Sequence, residues 1–292
     1  MARTAQVNQG FSLKDELFNE TKVNCLAEMF APHAPGFHAD AFTAEVMTRM
    51  LDLELKARIT WIAECLRRHV PGDLPTVAPV LRAALPPPLD STLTDDDFGE
   101  FIYAPLGEWV TDLVTEDNRD LGLDLLEEIT QRFSMEWALR PFLLKWPEAA
   151  LTRVAEWCDH ENYHIRRLAT EGTRPRLPWG QAVGLPFEAT LPVLARLYTD
   201  RTRYVTRSVA NHLNDIAKKD PELVVQTLTD WQAEGQQSPK EMDWITSHAL
   251  RGLVKAGHPG ALALLGYDPD MEADVTLACP ATAEIGGKLE FA

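Results

Sequence analysis

Asp159-His-Glu-Asn-Tyr163-His-Ile-Arg166-Arg-Leu-Ala169 returns 41 residues later as Asp200-Arg-Thr-Arg-Tyr204-Val-Thr-Arg207-Ser-Val-Ala210. A looser copy, Trp244-Ile-Thr-Ser-His-Ala-Leu-Arg251-Gly-Leu253, follows about 40 residues further on. Each copy reads as the second helix of a helical hairpin, with Asp opening the turn in the first two copies and Arg inside the helix in all three. Helix pairs that recur every 40 or so residues bury their apolar faces only by stacking on their neighbours. The fold class predicted is therefore all-α, a HEAT-like α-solenoid in which antiparallel helix pairs form a superhelix and the second helices line one groove.

The rest of the chain fits that frame. Apolar residues at helical spacing and Pro or Gly punctuation predict helices over 11–30, 42–53, 55–69, 77–85, 98–114, 121–132, 135–145, 149–158, 164–172, 191–198, 204–218, 223–234 and 242–256, with a short one near Ala261. Ser12 stands where an N-cap is needed, and the acidic run Asp95-Asp-Asp97 suits a helix N-terminus. Only the tail departs from the pattern. Asp274-Val-Thr-Leu-Ala-Cys-Pro-Ala-Thr-Ala-Glu-Ile-Gly-Gly-Lys-Leu-Glu-Phe291 alternates like two short strands around a Gly-Gly turn.

With 292 residues, 45% of them apolar, the chain can bury a large core. Its four cysteines lack metal or disulfide spacing, which fits a reducing compartment. The N-terminus shows no signal-peptide run and no stretch is apolar enough to span a bilayer, so the expectation is a soluble cytoplasmic protein. A net charge of -16 argues against a polyanionic partner, yet residues 153–219 hold 11 Lys and Arg against 7 Asp and Glu. That central stripe, net +4, sits in a remainder of -20, and a local stripe decides where a polyanion docks.

Beyond Ala169 the chain reads Thr170-Glu-Gly-Thr-Arg174-Pro-Arg176-Leu-Pro-Trp179, so four arginines (Arg166, Arg167, Arg174, Arg176) surround one carboxylate, Glu171. A planar guanidinium matches phosphate oxygens two at a time. Arg166 and Arg207 hold equivalent repeat positions, where pairing with the Asp of a neighbouring hairpin is the alternative to a ligand. Arg167, Arg174 and Arg176 have no repeating partner, and Arg-Pro-Arg after Gly172 holds two guanidiniums on a stiff loop suited to phosphate. Glu171 and Asp215 fall near the C-terminal ends of successive second helices, where the macrodipole disfavours negative charge. With Glu136 they make the candidate carboxylate set, and Trp179 reads equally as core or as a stacking platform. His160-Glu161-x-x-His164 matches the zincin pattern. Zinc needs both imidazoles on one helical face, whereas Asp159 and Asn162 put His160 in a turn, so no metal or other cofactor is expected. These residues leave open a nucleic-acid enzyme, a non-enzymatic scaffold binding nucleic acid or protein, and a zinc hydrolase.

Longer stretches are more specific. Ser12-Leu-Lys-Asp-Glu-Leu-Phe-Asn19, Leu85-Pro-Pro-Pro-Leu-Asp90 with Asp95-Asp-Asp-Phe-Gly-Glu-Phe101, Ile129-Thr-Gln-Arg-Phe-Ser-Met-Glu136, Tyr163 through Trp179, and Val209-Ala-Asn-His-Leu-Asn-Asp-Ile-Ala-Lys218 resemble AlkC-type DNA alkylation-repair glycosylases, over about residues 11–265. The resemblance implies a bacterial monofunctional enzyme of the cytoplasm, associated with the nucleoid when on DNA. It would hydrolyse the N-glycosidic bond of cationic bases such as 3-methyladenine and 3-methylcytosine in duplex DNA, without flipping them out. Glu136, Glu171 and Asp215 would surround the lesion's deoxyribose. Arg166, Arg167, Arg174, Arg176, Trp179 and Arg207 form the candidate DNA-contacting set, with Arg167 gripping phosphate. Some members carry a C-terminal immunoglobulin-like domain. The expected organisation is thus a glycosylase domain over 1–267, then a linker and the start of an incomplete immunoglobulin-like domain over 268–292. A monomer acting on double-stranded DNA, with no membrane partner, is expected.

Overall fold

Asn19 decides how the chain begins. Its side chain accepts from the backbone N–H of Lys22 and starts α2 (Glu20–Phe30), separating it from α1 (Leu13–Leu17). The single helix expected over 11–30 is therefore two. The carbonyls released at the break are taken by a fully buried arginine, Arg58, which donates to Lys14 O and Phe18 O at 2.9 Å and to Asp15 at 2.6 Å. Buried carbonyls need such partners, and a guanidinium can serve several at once. The computed structural model describes residues 12–93, 95, 98–268, 276, 278–284 and 286–289.

α3 (Ala39–Met47) and α4 (Leu55–His69) follow, then α5 (Leu74–Ala84), where Asp73 accepts from Thr76 N–H at 3.1 Å and Pro75 occupies the first turn. The helix expected over 98–114 starts later than the acidic run suggests. Leu89 N–H bonds Gln131 O at 2.8 Å and Gly99 forms a bridge with Phe133, so the chain is tied to the 131–133 segment at both points. Gly99 has φ +70°, and an added Cβ would sit 1.8 Å from Arg132 O. Only glycine fits there. A 3₁₀ turn (Phe101–Tyr103) then leads into α6 (Ala104–Leu113) and α7 (Arg119–Thr130). Residues 133–138 are turns, so the helix expected over 135–145 is the shorter α8 (Leu139–Lys145).

Three hairpins carry the repeat: α9 (Pro147–Trp157) with α10 (Tyr163–Gly172), α11 (Phe187–Leu197) with α12 (Arg203–Ile216), and α13 (Pro221–Glu234) with α14 (Pro239–Lys255). α13 shows the local logic. Asp220 accepts from Leu223 N–H, Pro221 takes the first helical position, and Gly235 closes the helix at φ +62°. The second helices α10, α12 and α14 pack side by side as one layer, with α9, α11 and α13 behind, and α15 (Pro259–Leu264) closes against α13 and α14. The architecture is the all-α, HEAT-like solenoid read from the repeat. Its seams are filled by fully buried large side chains such as Trp157, Tyr163 and Tyr198, each removing a large apolar area from water.

The repeat's Asp and Arg have a mechanical role. Arg166 donates to both oxygens of Asp200, at 2.5 and 3.2 Å, and to the carbonyls of His160 and Glu161 at 2.8 Å. Asp200 also accepts from Thr202 N–H, so one carboxylate caps its own hairpin and ties it to the previous one. No described residue of the tail (276, 278–284, 286–289) lies in a strand; the rest of the expected hairpin falls outside the described residues. Among the described residues no helix is long and apolar enough to cross a membrane.

Candidate active site

The layer of second helices presents a chain of alternating charges. Glu136, in the turn before α8, accepts from Arg167 of α10 at 2.8 Å and from Ser134 at 3.0 Å. Arg167 lies 3.7 Å from Glu171, four residues on along the same helix. Glu171 accepts from Arg174 at 2.5 Å through one oxygen and from Ser208 of α12 at 2.6 Å through the other. Arg174 continues to Asp215 of α12, its Nη2 and Nε at 2.8 and 2.9 Å from Oδ2, and Lys218 holds Oδ1 at 2.8 Å. Three carboxylates predicted from separate stretches thus share one network, with the arginines as links. Glu136 Oε1 makes no hydrogen bond among the described residues, whereas both oxygens of Glu171 and of Asp215 are held.

Glu171 and Asp215 are both buried. Burial pushes the Glu171 carboxyl up, but Arg167 and Arg174 and the hydrogen bonds from Ser208 and Arg174 outweigh it, and its pKa lies below the ordinary value. Burial likewise works against the Arg167 charge, and Tyr204, Glu136 and Glu171 reverse it, so its pKa is raised. The Arg167 guanidinium lies over the Tyr204 ring at 4.5 Å. Beneath them His212 is fully buried; burial lowers its pKa to about 4, opposed by the Thr170 carbonyl at 3.1 Å from Nδ1. The imidazole is therefore neutral near pH 7, and Glu171 is a carboxylate fixed by buried partners.

The loop after α10 is clamped from below. Arg140, fully buried on α8, donates through Nη1 to Gly172 O and Arg174 O at 3.0 and 2.6 Å and through Nε to Gln181 O at 2.7 Å. Lys56 Nζ donates to Trp179 O at 2.8 Å. Between those ties Trp179 sits at φ +62°, the one non-glycine residue with positive φ among the described residues, and its side chain is 56% exposed. A left-handed conformation disfavours a bulky residue by roughly 1–2 kcal/mol, so the clamp holds the indole in a strained pose. It is no core residue.

The other sequence candidates divide. Arg176 is exposed and makes no hydrogen bond or ion pair among the described residues. Arg166 turns into the hairpin seam, where its guanidinium serves Asp200 and two carbonyls. Arg207, its repeat equivalent, pairs instead with Asp95 of the α5–α6 segment. His160 lies in the turn, its Nδ1 accepting from Asn162 N–H, while His164 is buried on α10. Among the described residues no group of three or more His, Cys, Asp or Glu could hold a metal. Sequence reasoning missed Ser134, Ser208, Arg140 and Lys218; Ser208 meets Glu171 from the neighbouring second helix, 37 residues away, which is not the 41-residue repeat spacing.

No family model matches the chain. Against individual proteins it is 33% identical over 284 residues to the uncharacterised protein YhaZ of Bacillus subtilis (strain 168), covering 94% of this chain and 75% of YhaZ. Against solved structures it superposes with a TM-score of 0.75 and 32% identity on the Pseudomonas fluorescens alkylpurine DNA glycosylase AlkC bound to DNA containing an abasic site analog, covering 87% of this chain and 68% of that one. The chain belongs to the AlkC family. As an AlkC-family chain, it carries the Glu136–Arg167–Glu171–Arg174–Asp215 network at the junction of α8, α10 and α12, within the stretches that suggested the family.

Proposed function

We propose that this chain is a monofunctional DNA glycosylase that removes cationic alkylated bases, 3-methyladenine and 3-methylcytosine, from duplex DNA and so initiates base excision repair. The observation that carries the reading is the joining of Glu136, Glu171 and Asp215 through Arg167 and Arg174 on one face of a solenoid of the AlkC family. Double-stranded DNA is the partner, bound by a monomer in the cytoplasm. Arg167, Arg174, Arg176, Arg207 and Trp179 contact it, and Arg166 supports them from the seam. Residues 1–267 form the glycosylase unit; the alternation over 274–291 supports the start of an immunoglobulin-like module after it.

A cationic base already carries the charge that protonation would supply, so its departure needs no general acid. The bond from C1′ to the base nitrogen breaks, its electron pair leaves with the now neutral base, and positive charge spreads over C1′ and the ring oxygen. Fixed carboxylates stabilise that charge because they need not reorient as it appears. Water then bonds to C1′ and gives up a proton, which Glu136 takes; its Oε1 makes no hydrogen bond among the described residues, which supports this role. The base leaves without being flipped out of the duplex. A neutral lesion lacks the built-in charge. Purified protein is expected to release 3-methyladenine far faster than hypoxanthine from matched duplexes, and comparable rates would overturn the mechanism.

A further inference from the structure

A cleft of about 390 Å³ opens between α4, α6, α8 and the clamped loop. It adjoins the site along the chain itself: Trp137 in its wall follows Glu136, and Gly180 and Gln181 end the loop that begins at Arg174. Two of the large apolar side chains left exposed in the molecule, Trp179 and Leu144, both line it. Uncovered aromatic and aliphatic surface gathered in one concavity marks a ligand site more often than chance exposure. Its charged groups are two carboxyls, Glu108 and Asp112, one turn apart on α6, and two lysines, Lys56 and Lys145. Glu108 Oε1 accepts from Thr60 at 2.7 Å, which fixes the side chain.

That combination selects among ligands. A phosphate is disfavoured by the two carboxyls, since Lys56 is engaged with the Trp179 carbonyl and Lys145 lies over the Trp146 ring at 5.7 Å. A flat, nitrogen-rich heteroaromatic fits, since indole faces stack on it and a carboxyl pairs with its amino and ring-nitrogen edge. Burial, with Asp112 beside it, holds the Glu108 carboxyl above its ordinary value, against the Thr60 hydrogen bond, which favours the proton sharing such an edge offers. We propose that the cleft binds the free alkylated base, receiving the leaving group once the glycosidic bond is broken. The identity of the ligand rests on the glycosylase reading; the cleft does not.

Equilibrium dialysis of free 3-methyladenine against the full chain, without DNA, tests this. One saturable site per chain is expected. Glu108→Gln is expected to weaken it roughly tenfold or more, and Leu144→Arg, at an exposed position, to abolish it while circular dichroism stays native. Glu171→Gln is expected to bind the free base as wild type does. Absence of binding to wild type, or equal binding by wild type, Glu108→Gln and Leu144→Arg, overturns the proposal. Base release from alkylated DNA is scored separately, so a chain that releases bases without holding them refutes the cleft alone. One that holds them without releasing any refutes the glycosylase reading alone.

Discussion

Arg174→Met removes the link between two buried carboxylates. Its guanidinium sits 2.5 Å from Glu171 and 2.8 and 2.9 Å from Asp215, with a side chain 10% exposed. Without it Glu171 keeps Ser208 and the more distant Arg167, and Asp215 keeps only the half-exposed Lys218. Breaking a buried ion pair from one side leaves an uncompensated charge and destabilises by about 3–5 kcal/mol. For a chain of this length that corresponds to a melting temperature lower by on the order of 10 °C. Burial, now less opposed, raises the Glu171 pKa, so the variant takes up a proton that the wild type refuses. The penalty should therefore shrink at pH 5 relative to pH 7. Urea unfolding followed by far-UV circular dichroism at both values measures it. A loss below about 1 kcal/mol, or one equal at the two pH values, would refute the view that Arg174 holds Glu171 ionised.

Other consequences follow from the same geometry. The folded pKa of Glu171 lies below its ordinary 4.5, so its contribution to stability is complete above 4.5 and is lost as pH falls through the folded value. Melting curves of wild type and Glu171→Gln between pH 7 and 3 should converge toward the acid end. His212 is held neutral, its pKa lowered from 6.5 to about 4, worth on the order of 3 kcal/mol. The unfolded chain binds that proton first, so stability falls as pH drops from 6.5 toward 4, and His212→Asn should flatten that part of the profile. Trp179→Gly should leave stability unchanged or raise it by up to about 1 kcal/mol by relieving the positive φ, while lowering affinity for duplex DNA in a filter-binding titration. A stability loss would show the indole to be structural.

What the sequence disclosed was whatever is written in side-chain type and spacing. The 41-residue echo of Asp, Tyr and Arg named the solenoid, and at one seam the echoed types meet, Arg166 reaching Asp200 of the next hairpin. The same echo misleads at Arg207, where the partner is Asp95, 112 residues away and in no repeat. Arg140 was illegible for a different reason: its partners are backbone carbonyls, which leave no trace in sequence. Glu171 and Asp215 drew notice as charges set against a helix dipole. Their reason is the guanidinium folded back between them, which only the loop geometry at Arg174 reveals. Helix ends were missed where a tertiary contact intervened, as at Phe18 with Arg58 and at Gly99 with Phe133.

The central claim is that the linked carboxylates perform glycosidic hydrolysis. Purified protein should be incubated with duplex DNA treated with a simple methylating agent, and the released bases identified by mass spectrometry for wild type, Glu171→Gln and Asp215→Asn. The account predicts release of 3-methyladenine and 3-methylcytosine by wild type. Each variant should be slower by roughly 10²–10³, as for other preorganised electrostatic groups, with DNA binding retained. Failure of the wild type to release any base, or release by the variants at wild-type rate, would contradict it.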